Sequence, residues 1–179
     1  MWEDFLNPEV LRSNLIVASI YIVAFEVLKN TIVDRLKSFY TMGLHEDGPQ
    51  IDPKYQSEVL SKNPSPVYAS LEWLKESQAI DDNDISAFER AKKCRNDFAH
   101  ELPEMLMKGL PSDLPDRFSE MIWLVDKIGR WWVVNVDIAP DPQHDGKHVD
   151  EEQVIPGPSM ELRLMMDIAL APEGLKKIH

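Results

Sequence analysis

The sequence predicts an all-α fold: a four-helix up-and-down bundle with an extra C-terminal helix and a loop rich in proline and acidic residues. Apolar residues recur at helical spacing through long segments that lack proline and glycine. No segment shows the strict alternation that is typical of a half-buried strand, and no internal repeat indicates a solenoid. A hydrophobic fraction of 44% in 179 residues is sufficient for one packed core.

The first predicted helix begins at Asn7-Pro8-Glu9. This string combines a capping side chain, a proline at the first helical position and an acid that favours the positive end of the helix dipole. The helix extends to about Tyr40, and Gly43 supplies a stop signal. Between Ile16 and Val23 the apolar residues surround the helix on nearly all sides, so we expect it at the centre of the bundle.

Three more helices are expected after a long connection. Residues 43–65 contain several turn-forming proline pairs, with one short helical turn expected from Tyr55 to Leu60. Val133 to Val136 is compatible with an extended segment. The second predicted helix starts at Ser65-Pro66. The third runs from Ile85 to about Leu102, with Asp84 as the cap and with Pro103 and Gly109 at its end. The fourth runs from about Pro115 to Trp132.

These elements divide the chain into three parts. Residues 1–134 are predicted to form the helical bundle, and residues 135–157 an exposed acidic loop with several prolines. Residues 158–179 are predicted to form a C-terminal helix and tail that docks on the bundle.

Composition excludes several classes of protein. The chain has 19 Lys and Arg against 31 Asp and Glu, a net charge of −12, which argues against a protein that coats duplex DNA. A single cysteine excludes a disulfide framework and a multi-thiolate zinc site, and it fits a reducing compartment. The apolar stretch from Leu15 to Phe25 is too short to span a bilayer, and the acidic N-terminus is unlike a secretory signal. We therefore expect a cytoplasmic protein without a membrane partner.

Arg95 departs from the ordinary pattern of the third predicted helix. On an ideal helical wheel, it falls within the apolar sector, about 40° from Ala91. A buried guanidinium is unfavourable unless it is paired or hydrogen-bonded. Glu26 interrupts the apolar middle of the first helix and is one candidate partner; the alternative is a glutamate that reaches solvent between helices.

His100 lies five residues after Arg95, which corresponds to about 140° around the helix and about 7.5 Å along its axis. The two side chains therefore do not share a face of a straight helix. Two arrangements would bring them together. In the first, the turn that carries His100 unwinds, because Pro103 disfavours α geometry just before it. In the second, the arginine of one chain approaches the histidine of another in a two-fold dimer.

The residues around Arg95 resemble the R-x4-H motif of HEPN domains (higher eukaryotes and prokaryotes nucleotide-binding). The string is Arg95-Asn96-Asp97-Phe98-Ala99-His100, and its R-N-x-x-x-H spacing is also similar to the ribonuclease motif of RNA-targeting CRISPR effectors. The resemblance covers roughly residues 9–132. It implies a dimeric, metal-independent endoribonuclease in which two motifs face each other across a cleft. In that reaction the 2′-OH of RNA attacks the neighbouring phosphodiester and leaves a cyclic phosphate.

The residue types suit this chemistry. Histidine titrates near neutral pH, so His100 is the candidate acid or base, and Arg95 is the candidate ligand of the phosphate. Asn96 is expected to orient either group, with Glu26 and Asp97 as supporting residues, although the charge of Asp97 opposes an anionic substrate. The remaining candidates are Lys92 and Lys93, which are predicted either to contact RNA phosphates or to form a solvated helix face.

No cofactor and no metal are expected. His144 and His148 have the spacing of a metal-binding pair, but such a pair binds metal on a helix and this segment contains proline and glycine. Cys94 lies on the apolar stripe and is expected to be inert. Packing is the favoured role, over stacking on bases, for Trp73, Trp123, Trp131 and Trp132.

A second interpretation remains open. HEPN toxins that are paired with nucleotidyltransferases continue their motif as H-x-Y, whereas Glu101 and Leu102 follow His100 here, so tyrosine modification is not expected. The mannitol-operon repressor family has a similar R-N-x-F-A-H string. The chain is therefore expected to be either a ribonuclease of a toxin–antitoxin or phage-defence system, with an antitoxin or regulatory protein as partner, or a non-catalytic helical regulator.

Overall fold

The computed structural model describes residues 7–138 and 154–170, and this part of the chain is mostly helical. It confirms the all-α prediction. A two-stranded antiparallel hairpin and two π-helical turns, Tyr55–Leu60 and Val133–Ile138, accompany the α-helices. The elements are α1 (Pro8–Phe39), β1 (Thr41–His45), β2 (Gly48–Ile51), α2 (Pro66–Glu76), α3 (Asp82–Lys108), α4 (Leu114–Trp132) and α5 (Gly157–Leu170).

Helix α1 is the central element of the described chain, because it contacts each of the other four α-helices. Its predicted start is confirmed: Asn7 caps the helix by accepting a hydrogen bond from the backbone N–H of Glu9 at 3.0 Å. Its buried side chains extend along most of its length, from Val17 to Leu36. On an ideal helical wheel these buried residues fall within one sector of about 120°, so α1 packs against the other helices through one broad face. The expectation that the helix is surrounded from Ile16 to Val23 is therefore not met, since Val23 is 44% exposed.

The apolar stretch from Leu15 to Phe25 is shorter than a bilayer requires, but α1 as a whole is the one described helix that is long and apolar enough to cross a membrane, judged by length and composition alone. The central helix of a soluble bundle satisfies the same test, and α1 packs against four helices. The structure is therefore compatible with a soluble protein.

The connection predicted for residues 43–65 contains more structure than expected. Gly43 does not stop the first helix; the helix ends at Phe39, and Gly43 lies within β1. The hairpin that follows was not predicted, because its strands are short and Leu44 is 84% exposed, so they lack an alternating apolar face. The helical turn predicted from Tyr55 to Leu60 is confirmed.

Helix α3 is longer than predicted at both ends. Asp81 rather than Asp84 is the cap, and Asp84 completes a capping box at the third helical position. The predicted end at Pro103 is wrong, since the helix continues to Lys108. Gly109 ends it with a φ of +99°, a backbone conformation that favours glycine.

Helix α4 continues directly into the π-helical turn Val133–Ile138, so the extended segment predicted from Val133 to Val136 is wrong. The predicted domain boundary at residue 134 consequently falls inside a helical segment. Helix α5 lies against α1 and α4, where Leu162 is buried and Arg163 pairs with the buried carboxylate of Asp126. These contacts attach the C-terminal helix to the bundle.

Aromatic side chains join the hairpin end of α1 to α2 and α4. Trp73 and Trp132 stack with ring centroids 5.9 Å apart and ring planes 7° apart, and Tyr40 packs against Trp73 and Tyr55. Their packing role agrees with the sequence prediction. Trp123 differs, because it is exposed and its ring contacts the ammonium of Lys127 at 4.8 Å.

Replacing Gly129 by alanine should destabilise the contact between α4 and the segment before α5. A Cβ at this position would lie 2.6 Å from the side chain of Pro156, so the proline must move. We expect Gly129→Ala to lower the free energy of unfolding by about 1 to 3 kcal/mol in urea denaturation, despite the higher helix propensity of alanine. Gly43→Ala is the control, since a Cβ there would meet no other side chain or backbone within 4 Å; an equal loss in both variants would contradict the packing explanation.

Tyr40 should make stability fall in strongly alkaline solution. Burial, followed by the hydrogen bond that its hydroxyl donates to Glu58 at 2.7 Å, raises the pKa of Tyr40 to about 12. Between pH 10 and 12 the unfolded phenol ionises while the folded one stays protonated, so stability is complete below pH 10 and is lost as the pH rises. In urea denaturation, the free energy of unfolding of the wild type should fall by up to ~1.4 kcal/mol per pH unit more than that of Tyr40→Phe in this range. Parallel losses would contradict this assignment.

Candidate functional site

The sequence motif lies on an uninterrupted part of α3. Because the helix continues from Arg95 through His100 and beyond Pro103, the two side chains stay about 140° and about 7.5 Å apart. The proposed unwinding before Pro103 is therefore wrong. Arg95 is half-buried and His100 is exposed, so a single copy of the described chain does not bring them to one point.

Arg95 is paired inside its own chain. Its Nη2 donates to Glu26 Oε1 at 3.2 Å, and its Nη1 donates to the side-chain oxygen of Asn96 at 3.5 Å. Its Nε is buried and has no hydrogen-bond partner among the described residues. The structure thus contains the Glu26–Arg95 pair considered from the sequence, although neither side chain is fully buried: about a third of each is exposed.

Glu26 is shared between two cations. Its Oε1 accepts from Arg95, and its Oε2 accepts from the ammonium of Lys29, one helical turn further along α1. The hydrogen bond from Lys29 holds the pKa of Glu26 below its ordinary value, while burial acts in the opposite direction. Glu26 is therefore a carboxylate at neutral pH, with each oxygen bound to a different positive charge.

These residues line a cleft of about 240 Å³ between α1, α3 and the start of α2, which we call the Arg95 cleft. It holds three cations and one carboxylate, a local excess of positive charge in a chain of net charge −12. Its apolar walls include Phe25 and Phe88. The complete lining is Phe25, Glu26, Lys29, Ser65, Val67, Tyr68, Phe88, Lys92, Arg95 and Asn96.

The two candidate lysines occupy different environments. Lys92 lies in the Arg95 cleft, where its Nζ donates to the hydroxyl of Tyr68 at 2.6 Å and lies 4.6 Å from the centre of that ring. This hydrogen bond raises the pKa of Lys92. The side chain of Lys93 is 80% exposed and lies 3.9 Å from Asp97, outside the cleft lining. The structure therefore supports the solvated-face interpretation for Lys93.

The cleft includes some of the predicted residues and excludes others. Arg95, Asn96, Glu26 and Lys92 line it, whereas His100, Asp97 and Lys93 do not. Sequence reasoning missed Lys29 and Tyr68. Lys29 could have been predicted from the sequence, because the spacing of three residues places it on the same face of the helix as Glu26. Tyr68 comes from another helix, and no local pattern links it to the motif.

A larger cavity of about 550 Å³ lies between α1, α4 and the start of α5. Three acids, Asp34, Asp137 and Glu161, and one arginine, Arg35, line it. This charge disfavours an anionic substrate, so the smaller Arg95 cleft is the better candidate.

The described residues contain no group of three or more His, Cys, Asp or Glu side chains that suits a metal ion. His144 and His148 lie outside the described residues. Cys94 is fully buried in the core, and burial raises the pKa of its thiol, which agrees with the inert role predicted for it.

Comparison with models of known protein families, with curated proteins and with solved structures finds no match to this chain. The candidate site therefore rests on its own geometry and on the motif.

Pro103 should weaken α3 without shaping the site. It is exposed inside a continuous helix, where it cannot donate the hydrogen bond that the carbonyl of Ala99 would accept. We expect Pro103→Ala to raise the free energy of unfolding by about 1 to 3 kcal/mol, as measured by urea denaturation. Pro115→Ala is the control and should not be stabilising, because Pro115 lies in the first turn of α4, where proline is favourable. A destabilised Pro103→Ala would show that packing needs a bend there.

Proposed function

We propose that the protein is a metal-independent endoribonuclease of the HEPN type, assembled from two copies of the chain. The observation that supports this most is the Arg95 cleft, where the motif arginine lies among additional cations in an otherwise acidic protein. RNA is the substrate class that matches the motif, the local positive charge and the 2′-OH chemistry.

In the proposed reaction the 2′-oxygen attacks the adjacent phosphorus, and the bond from phosphorus to the 5′-oxygen breaks. One imidazole takes the proton of the 2′-OH, and a second gives a proton to the leaving 5′-oxygen. The products are a 2′,3′-cyclic phosphate and a 5′-OH. Arg95 stabilises the negative charge that grows on the phosphate oxygens, and Asn96 holds the guanidinium through its side-chain oxygen.

The proposed chemistry uses two copies of the chain, because α3 keeps Arg95 and His100 of one copy apart. Within one chain, His100 points away from the sector that carries Arg95, and its side chain is exposed. In the proposed two-fold dimer the two motifs face each other across one groove between the copies, so that both imidazoles reach the same phosphate and serve as base and acid. An exposed histidine is available for such a contact.

A non-catalytic helical regulator is the second candidate. Two observations favour it: Arg95 is already neutralised by Glu26 within one chain, and His100 lies outside the cleft lining. In that case the Arg95–Glu26 pair holds α1 and α3 together, and the acidic surface binds a protein partner of opposite charge.

Cleavage of RNA in the presence of EDTA distinguishes the two candidates. We expect the wild type to cleave, and both Arg95→Ala and His100→Ala to reduce the rate by about 10²- to 10⁴-fold. The matched control is His45→Ala, because His45 lies on β1 and hydrogen-bonds to Gln50 away from the cleft. A dimer-dependent enzyme should also lose specific activity on dilution.

Equal cleavage by the wild type, Arg95→Ala and His100→Ala would remove the catalytic assignment, and so would the absence of cleavage on varied RNAs. Either result would leave the helical regulator as the preferred function.

A further inference from the structure

The carboxylate of Glu26 is bound in an unusual way for a structural ion pair. Each of its oxygens accepts from a different cation, Arg95 on α3 and Lys29 on α1, and a third cation, Lys92, lines the same cleft. One cation would be sufficient to neutralise one carboxylate. Two oxygens held by separate cations is also the arrangement in which a phosphate group presents its two non-bridging oxygens to a protein.

We propose that Lys29, Lys92 and Arg95 form a phosphate subsite in which Glu26 occupies the place of a phosphate until the RNA displaces it. This inference rests on the proposed function in one respect, the identification of the ligand as RNA. A small phosphate compound presents the same chemical group.

The charges in the cleft favour exchange of the carboxylate for a phosphate. Lys92 has the neutral hydroxyl of Tyr68 as its hydrogen-bond partner, so its positive charge is not cancelled by that contact. A phosphate that displaces Glu26 therefore meets three cations, whereas Glu26 itself is hydrogen-bonded to two. The apolar walls formed by Phe25 and Phe88 reduce screening by water, which strengthens these interactions.

Glu26 is also able to leave. About a third of its side chain is exposed, so rotation carries the carboxylate into solvent without opening the core. Arg95 has a buried Nε that no described residue satisfies, so a guanidinium that turns towards a phosphate offers Nε and Nη2 to the ligand together. Displacement thus exchanges a single long contact of 3.2 Å for a paired one.

Binding must be measured without cleavage. A fluorescent RNA with every 2′-OH methylated serves as the probe in anisotropy titrations at several salt concentrations, and the binding of inorganic phosphate is measured separately by isothermal titration calorimetry. Glu26→Gln should bind the RNA several-fold more tightly than the wild type, because the internal competitor loses its charge. Lys92→Gln should bind roughly tenfold more weakly and lower the salt slope by about 0.7, the value for one lost phosphate contact on a single strand.

Lys108→Gln is the matched control. Lys108 is on the same helix and pairs with Glu104 at the far end from the cleft, so affinity and salt slope should stay at the wild-type values. Urea denaturation of each variant verifies that it is folded. The subsite is overturned if Glu26→Gln binds RNA and phosphate no better than the wild type, or if Lys92→Gln and Lys108→Gln behave alike.

The two probes distinguish an RNA backbone from a small phosphate compound as the ligand of the subsite. Tight binding of the methylated RNA assigns the subsite to the RNA backbone. Binding of inorganic phosphate alone, with the same order of variants, assigns it to a small phosphate compound and supports the same exchange with Glu26.

The inference and the proposed function fail separately. His100→Ala should reduce the cleavage of ordinary RNA by about 10²- to 10⁴-fold. In that background Glu26→Gln should still bind the methylated RNA most tightly and Lys92→Gln most weakly. If the variants bind RNA in the predicted order but the wild type does not cleave RNA, the ribonuclease assignment is wrong and the subsite stands. If the wild type cleaves RNA but Glu26→Gln and Lys92→Gln bind the methylated RNA with wild-type affinity, the subsite is wrong and the ribonuclease assignment stands.

Discussion

The structure depends on the burial of α1. This helix buries one broad face and contacts the four other described α-helices, so each of them has to present an apolar stripe to it. Tyr21 shows the result, since its ring packs against Phe98 of α3 and Phe118 of α4 at 5.3 and 4.9 Å. Because α2 and α3 both pack against α1, this helix places them on either side of the cleft.

The same constraint explains the chemistry of the cleft. Glu26 belongs to the central helix, and its charge would be unfavourable there without partners. Lys29 from the same helix and Arg95 from α3 supply them, and the arginine at the apolar edge of α3 is satisfied by the same contact. The burial that holds the bundle together therefore also gathers cations around one carboxylate, in a protein whose overall charge is strongly negative.

Much of the helical architecture was predictable, because it depends on local signals. The Asn7 cap, the prolines at helix starts and the glycine at position 109 all act within one turn of the chain. Errors occurred where neighbouring structure outweighed a local preference. Pro103 is tolerated inside α3, and the β-branched residues after Trp132 continue as a helical turn rather than a strand.

The sequence by itself determined the helical class, the proline-marked starts of α1, α2 and α4, and the presence of an arginine where an apolar residue was expected. Tertiary structure alone decided that the cleft contains Lys92 but neither Lys93 nor His100. It also decided that the hydroxyl of Tyr68 accepts the hydrogen bond from Lys92. The physical reason is that periodicity specifies the face of a helix on which a residue lies, whereas the packing of separate helices specifies what that face meets.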